Sequence, residues 1–341
     1  MRSVAFASGL LLGLACAAPG GAASAAPAQA AASQKSPFAE PPSAPRVLGP
    51  GVISTGDDES HALLAPDGTT LYFLKNTPNF DFWTIVTSRW QAGRWSEPKV
   101  APFSGRWSDA DPFLTEDGSK LFFISTRPVD GSAKEDTDLW MVGRSTAGAW
   151  GTPVNLAAVN SPASEWFPTV ARSGTLYFGS ERPGGKGGAD IWRSSFVDGV
   201  YQTPENVGEV NTPGGEFEPM VSPDERFMVF AAIGRPGGLG AFDLWISHNQ
   251  DGRWSKPEHL PAPINSPGWD SAPRLTPDGK TLLFTSSRAS SRASDRALNY
   301  RELLTKVRAP GNGLRDIYYV SVSALPEKPS SPGDSTGVDH R

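Results

Sequence analysis

The sequence predicts an all-β fold: a five-bladed β-propeller of four-stranded blades, closed by an N-terminal strand in the last blade and carrying one short helical insertion. Three observations predict it. A turn recurs at Asp67-Gly68, Asp117-Gly118, Ser173-Gly174, Asp224-Glu225 and Asp278-Gly279, at intervals of 50 to 56 residues. That period belongs to ring and solenoid architectures and leaves room for four strands per unit. The segments flanking each turn match in phase, with an apolar run before it and a β-prone run after it. Finally, 11 Trp and 17 Phe stand beside 36 Gly and 32 Pro, the composition of short strands joined by tight turns.

Taken in order, the chain opens with an export signal over residues 1–25. Arg2 supplies the positive end. Val4 to Ala15 is apolar but too short to span a bilayer. Ala15-Cys16-Ala17 and Ala23-Ser24-Ala25 both fit a small-residue cleavage site. Cys16 is the only cysteine, placed either for lipidation of the mature N-terminus or for removal with the signal. In both cases the mature domain has no disulfide and depends on core packing. Residues 26–44 are rich in Ala and Pro and read as a disordered linker; residues 326–341 read as a disordered tail.

The propeller spans 45–325. First strands precede the turns: HALLAP, DPFLTE, FPTVAR, EPMVSP and APRLTP. Second strands follow them, at Leu71-Tyr72-Phe73, Leu121-Phe122-Phe123, Leu176-Tyr177-Phe178, Met228-Val229-Phe230 and Leu282-Leu283-Phe284. Third strands carry Asp-x-aromatic at Asp81/Trp83, Asp138/Trp140, Asp190/Trp192, Asp243/Trp245 and Asp316/Tyr318. Fourth strands carry aromatic-x-x-Pro at Trp95/Pro98, Trp150/Pro153, Tyr201/Pro204 and Trp254/Pro257. Proline donates nothing to a ladder, so this strand belongs at the outer edge. The fifth unit lacks it, and Pro45-Arg46-Val47-Leu48 resembles Pro153-Val154-Asn155-Leu156. The N-terminal segment therefore supplies the missing outer strand, which leaves no open seam.

Residues 289–313 interrupt the fifth unit. Tyr300, Leu303, Leu304 and Val307 fall at helical spacing, Ser294 offers a cap, and Gly311 or Gly313 offers a stop. Arg292, Arg296, Tyr300 and Arg301 are its candidate binding residues. An insertion on a repeat scaffold often marks the functional face; alternatively the helix packs its apolar stripe on the propeller.

Pro-Asp-Gly before Leu-Tyr-Phe, Ser-x-Arg-Pro-Gly-Gly at 180–185, and Asp-Ile/Leu-Trp together resemble the TolB-type repeat of bacterial exported propellers, over roughly residues 45–325. The resemblance implies a propeller in the periplasm or anchored by lipid to the envelope, most often a binding module. TolB has a separate N-terminal α/β domain for which the stretch before residue 45 is too short, so a Tol-system role is not expected.

Every first strand carries a carboxylate at one fixed position: Glu59, Asp109, Glu165, Glu216 and Asp270. On innermost strands these five could ring the channel mouth and hold a cation or a basic partner group. Alternatively each pairs within its blade with a repeated arginine, Arg127, Arg182, Arg235 or Arg288; the first unit has no such arginine. Two residues on, His61, Asp111 and Glu218 break the symmetry of the repeats. The glycine run Gly184-Gly185-Lys186-Gly187-Gly188 lacks Gly-Lys-Ser/Thr and opens no helix, so it is a turn and not a phosphate cradle. Glu135-Asp136-Thr137-Asp138 is the one candidate for Ca²⁺, though without EF-hand spacing. No other cofactor is expected, and no metal identity follows.

Net charge is −5 and the isoelectric point is about 5.5, which argues against a nucleic-acid partner. The sequence points to an exported monomeric binding module for a protein, peptide or glycan of the cell envelope, using its loop face or channel mouth. The other reading is a carbohydrate-active hydrolase using mouth carboxylates, which needs two carboxylates in distinct environments.

Overall fold

The computed structural model describes residues 36–131, 134–290 and 294–326. The expected export signal, Cys16, Arg292 and most of the two expected disordered ends lie outside the described residues.

Five antiparallel sheets form the ring. The first blade is Asp58–Leu64, Thr70–Asn76, Trp83–Gln91 and Lys99–Val100. The second is Asp109–Leu114, Lys120–Ser125, Asp138–Gly143 and Val154–Asn155. The third is Glu165–Val170, Leu176–Ser180, Asp190–Ser194 and Glu205–Asn206. The fourth is Gly215–Val221, Phe227–Ile233, Asp243–Gln250 and Glu258–His259. The fifth is Asp270–Leu275, Thr281–Ser286 and Asp316–Ser321, completed by Arg46–Val47. That last strand pairs Arg46 with Tyr319 and Val47 with Tyr318, so the ring closes as expected. First strands of successive blades touch round the ring, the fifth meeting the first.

The fourth strands differ from the expectation in one respect. Trp95 and Trp254 belong to two-residue extensions of the third-strand hairpin, Arg94–Trp95 and Arg253–Trp254. The outer strand starts directly after Pro98, Pro153, Pro204 and Pro257. A residue without an N–H ends one pairing and frees the chain for the next.

The core is built from the second strands. Phe73, Phe123, Phe178, Phe230 and Phe284 are fully buried, each contributing about 1.5–3 kcal/mol of burial. In four blades the repeated arginine stacks on that ring and on the third-strand aromatic; Arg182, for example, covers Phe178 and Trp192. The Asp-Gly turns bind their own backbone: Asp67 accepts the N–H groups of Thr69 and Thr70 at 2.8 and 2.7 Å. In the fourth blade Glu225 takes the left-handed conformation (φ 56°) that glycine adopts in the other turns.

The glycine run wraps an aspartate. Backbone N–H groups of Lys186 and Gly187 donate to Asp190, and those of Leu239 and Gly240 to Asp243. Residues 36–44 are docked, which corrects the expected linker at its end. Phe38 is buried against Trp95 and Tyr319, and Pro42 accepts the N–H of Ser321.

The insertion forms the helix Tyr300–Val307, but Asn299, and not Ser294, is its cap. Asn299 and Glu302 exchange hydrogen bonds in a capping box. Most of its apolar stripe is open: Tyr300 is 74% exposed, Leu303 and Val307 are exposed, and Leu304 is half-buried.

Candidate functional site

The five repeated carboxylates do not converge. Each is fully buried and held by its own blade. Asp109 meets Arg127 at 2.5 Å, Glu165 meets Arg182 at 2.9 Å, Glu216 meets Arg235 at 3.1 Å and Asp270 meets Arg288 at 2.8 Å. In the first blade Lys75 replaces the arginine beside Glu59. Hydroxyls complete the shells, as Ser161 and Ser180 do for Glu165. Burial raises the pKa of Asp109, Glu165 and Glu216 against the pull of these partners. Of the two arrangements the sequence left open, pairing within each blade is the one the structure contains. These groups latch first strand to second.

The position two residues on behaves differently. In all five first strands the ladder register shifts there, and His61, Asp111, Phe167, Glu218 and Ala272 have φ between 50° and 57°. A left-handed residue in a strand is a bulge, and a bulge re-aims its side chain. Here it turns His61, Asp111 and Glu218 to the floor of a funnel at one mouth of the channel. Left-handed φ at non-glycine residues stores strain of about 1–3 kcal/mol each, and every blade carries it, at the buried Phe167 and Ala272 as well as at the three polar residues.

The floor is a joined cluster. His61 Nε2 lies 3.3 Å from Asp111 Oδ1 and 3.2 Å from Glu218 Oε1. Asp111 Oδ2 accepts the N–H of Phe167 at 2.9 Å, and Glu218 Oε2 accepts the N–H of Ala272 at 2.6 Å. His61 and Asp111 are buried, while Glu218 keeps a small exposure to the funnel. Burial opposes a charge on His61, but Asp111 and Glu218 outweigh it, and its pKa is raised. Burial raises that of Asp111 also. Beneath them Arg274 is enclosed, stacked 3.7 Å from the centre of the Phe167 ring and donating to Thr169 and Pro168. Burial lowers its pKa to about 9, so it stays cationic at neutral pH.

The funnel measures about 440 Å³, and its walls are aromatic: Phe80, Trp83, Trp166, Phe217, Phe242 and Trp269. Trp166 stacks on Phe217 (centroids 5.6 Å) and Phe242 on Trp269 (4.4 Å, 5° between planes). Phe80 is carried by the loop between second and third strands of the first blade, where Asp81 is exposed and does not repeat its counterparts. These six rings and Arg274 were missed in the sequence. A signal existed: Arg274 stands where other first strands have Leu63, Phe113, Thr169 and Met220, and Trp166 and Phe217 stand where others have Ser60, Ala110 and Ser271.

The other candidates do not join this site. Arg296 is tied to Glu302 at 2.9 Å, and Tyr300 and Arg301 are exposed on the helix; none of them lines the funnel. In the acidic loop Lys134 pairs with Asp136 and Asp138 at 3.0 and 2.7 Å. Among the described residues no group of three or more His, Cys, Asp or Glu is arranged to hold a metal ion.

No protein-family model matches the chain, and no curated protein matches it. Solved structures that match include a provisionally assigned TolB from Agrobacterium tumefaciens, at 18% identity over 78% of this chain and 90% of that one, with a TM-score of 0.45. An α-L-arabinofuranosidase from Lactobacillus brevis matches at 12% identity, covering 79% and 92% of the two chains, with a TM-score of 0.49. An endo-arabinase from Bacteroides thetaiotaomicron matches at 11% identity, covering 80% and 96%, with a TM-score of 0.46. By its own strand order the chain is a five-bladed β-propeller with one unrepeated, aromatic-walled funnel.

Proposed function

We propose that this chain is an exported binding propeller of the TolB type that takes the end of a glycan into its funnel without cleaving it. Arg2 and the apolar run that follows support export. The carrying observation is the funnel itself, with six half-buried aromatic rings around one polar floor. A sugar ring has an apolar C–H face that buries well on aromatic faces and hydroxyls that suit carboxylates and imidazole. Binding without turnover is supported by the floor, where Asp111 Oδ2 and Glu218 Oε2 accept backbone N–H groups and the other oxygen of each lies against the same His61 Nε2, at 3.3 and 3.2 Å. A hydrolytic pair needs one carboxyl free to protonate the leaving group and one free to face water or the anomeric carbon.

One observation favours hydrolysis instead. Asp111 is enclosed while Glu218 looks into the funnel, an asymmetry of the kind that separates acid from base. Calorimetry against glycan and peptide panels, with a reducing-end assay on the same glycans, tests both. Glycan binding without product release, lost in Trp269→Ala, is expected. Turnover abolished by Asp111→Asn would establish the hydrolase, and tighter binding of peptides than of any glycan would overturn the glycan reading.

A further inference from the structure

With both carboxylates of the funnel floor ionised, its charges balance when His61 holds two protons. When both are ionised, Asp111 and Glu218 bring two negative charges, which burial opposes at Asp111, and Arg274 beneath them brings one positive charge. The second positive charge is the imidazolium of His61, in contact with both carboxylates. That proton is poorly housed. Nδ1 of His61 is buried with no hydrogen-bond partner among the described residues, so an imidazolium leaves an unsatisfied N–H there. Arg315, paired with Asp58 and lying over the wall rings Phe80 and Trp269, works against the charge on His61. Above the floor no lysine or arginine lines the funnel. Its two further charged lining groups, Glu135 and Glu181, are exposed and have no ion-pair partner among the described residues.

A cavity with acidic floor and rim, aromatic walls and a displaceable proton favours a cation. Aromatic faces attract an ammonium group, most strongly when it is desolvated. This rests on the reading of the funnel as a glycan site and narrows it. We propose that the glycan carries a free amino group, whose ammonium enters between the rings and neutralises Asp111 and Glu218 in place of the His61 proton. The balance is one ammonium bound and up to one proton released to solvent from His61.

Calorimetry at about pH 6, in two buffers of different ionisation enthalpy, tests this with glucosamine oligomers and N-acetylglucosamine oligomers of equal length. The amine form should bind at least about tenfold tighter, and its heat should report proton release. Glu218→Gln, which keeps the shape and removes one charge, should erase the discrimination. Its melting curve establishes that the fold is intact. Equal affinity for both oligomers, lost together in Trp269→Ala, would overturn the amine inference and leave the glycan reading standing. No binding of either oligomer, while a neutral glycan binds, would do the same. A lysine tripeptide binding as tightly as the amino sugar would overturn the proposal in favour of a peptide partner. Failure of every sugar would take both readings down.

Discussion

Asp316 is the third-strand aspartate of the closing blade and the least supported of its kind. Asp190 accepts N–H groups from Lys186, Gly187 and the side chain of Asn206. Asp316 accepts one, from Gly311 at 2.7 Å, and its Oδ1 is buried without a partner among the described residues. Burial foremost, with Glu59 and Asp58 nearby, pushes its pKa from 3.8 to about 7. An acid with a folded pKa above its unfolded value binds more protons when folded. Its contribution to stability is therefore lost as pH rises from about 4 through 7. A shift of about 3 units, at about 1.4 kcal/mol per unit, sets a ceiling of about 4 kcal/mol above pH 8. Asp316→Asn keeps an acceptor for Gly311, removes the charge and presents an amide donor near Asp58 and Glu59. Thermal melts of both proteins at about pH 5 and about pH 8.5 provide the assay. The two should agree within about 1 kcal/mol at the lower pH. The variant should be ahead by about 2–4 kcal/mol at the higher, roughly 4–8 °C in a chain of this size. Groups common to both proteins cancel in the difference. Parallel stability–pH curves would refute the reasoning.

Arg182→Met strands the buried carboxylate of Glu165 and should cost about 3 kcal/mol in a urea melt. Adding Glu165→Gln should recover part of that loss; simple additivity of the two would sink the latch interpretation. Gly187→Ala would set a Cβ 1.9 Å from the carbonyl oxygen of Gly214, whereas Gly188→Ala meets nothing. The first should lower stability by about 1–3 kcal/mol and the second should leave it within about 0.5 kcal/mol, as read by thermal melts. Deleting residues 36–48 removes the closing strand with Phe38 and Leu48; it should lower the melting temperature by roughly 10 °C or prevent folding. Trp269→Ala should weaken glycan binding about tenfold by calorimetry, with a melting shift within about 4 °C, because Trp269 is only half-buried in a stack with Phe242.

The repeat grammar was legible because its causes are local. Alternating apolar residues, Asp-Gly turns and edge prolines act over a few residues, and five copies in phase exposed them. Ring closure was legible too, since Pro45-Arg46-Val47 repeats the pattern that starts each outer strand. The helix was legible from its spacing, but its cap was displaced from Ser294 to Asn299, where Glu302 completes the reciprocal bond. The repeated carboxylates were visible as a set, yet their direction was not: a buried latch and a channel ring look alike until Lys75 and the four arginines are placed.

The sequence by itself determined the architecture, because strand, turn and edge preferences are set by neighbouring residues. It also singled out His61, Asp111 and Glu218 as departures from the repeat. Only the tertiary structure decided that these three meet. Bulges with left-handed φ at non-glycine residues leave no local signature, and they turn one position per blade toward the axis. The aromatic walls come from loops and strands of four different blades, brought together only when the ring closes.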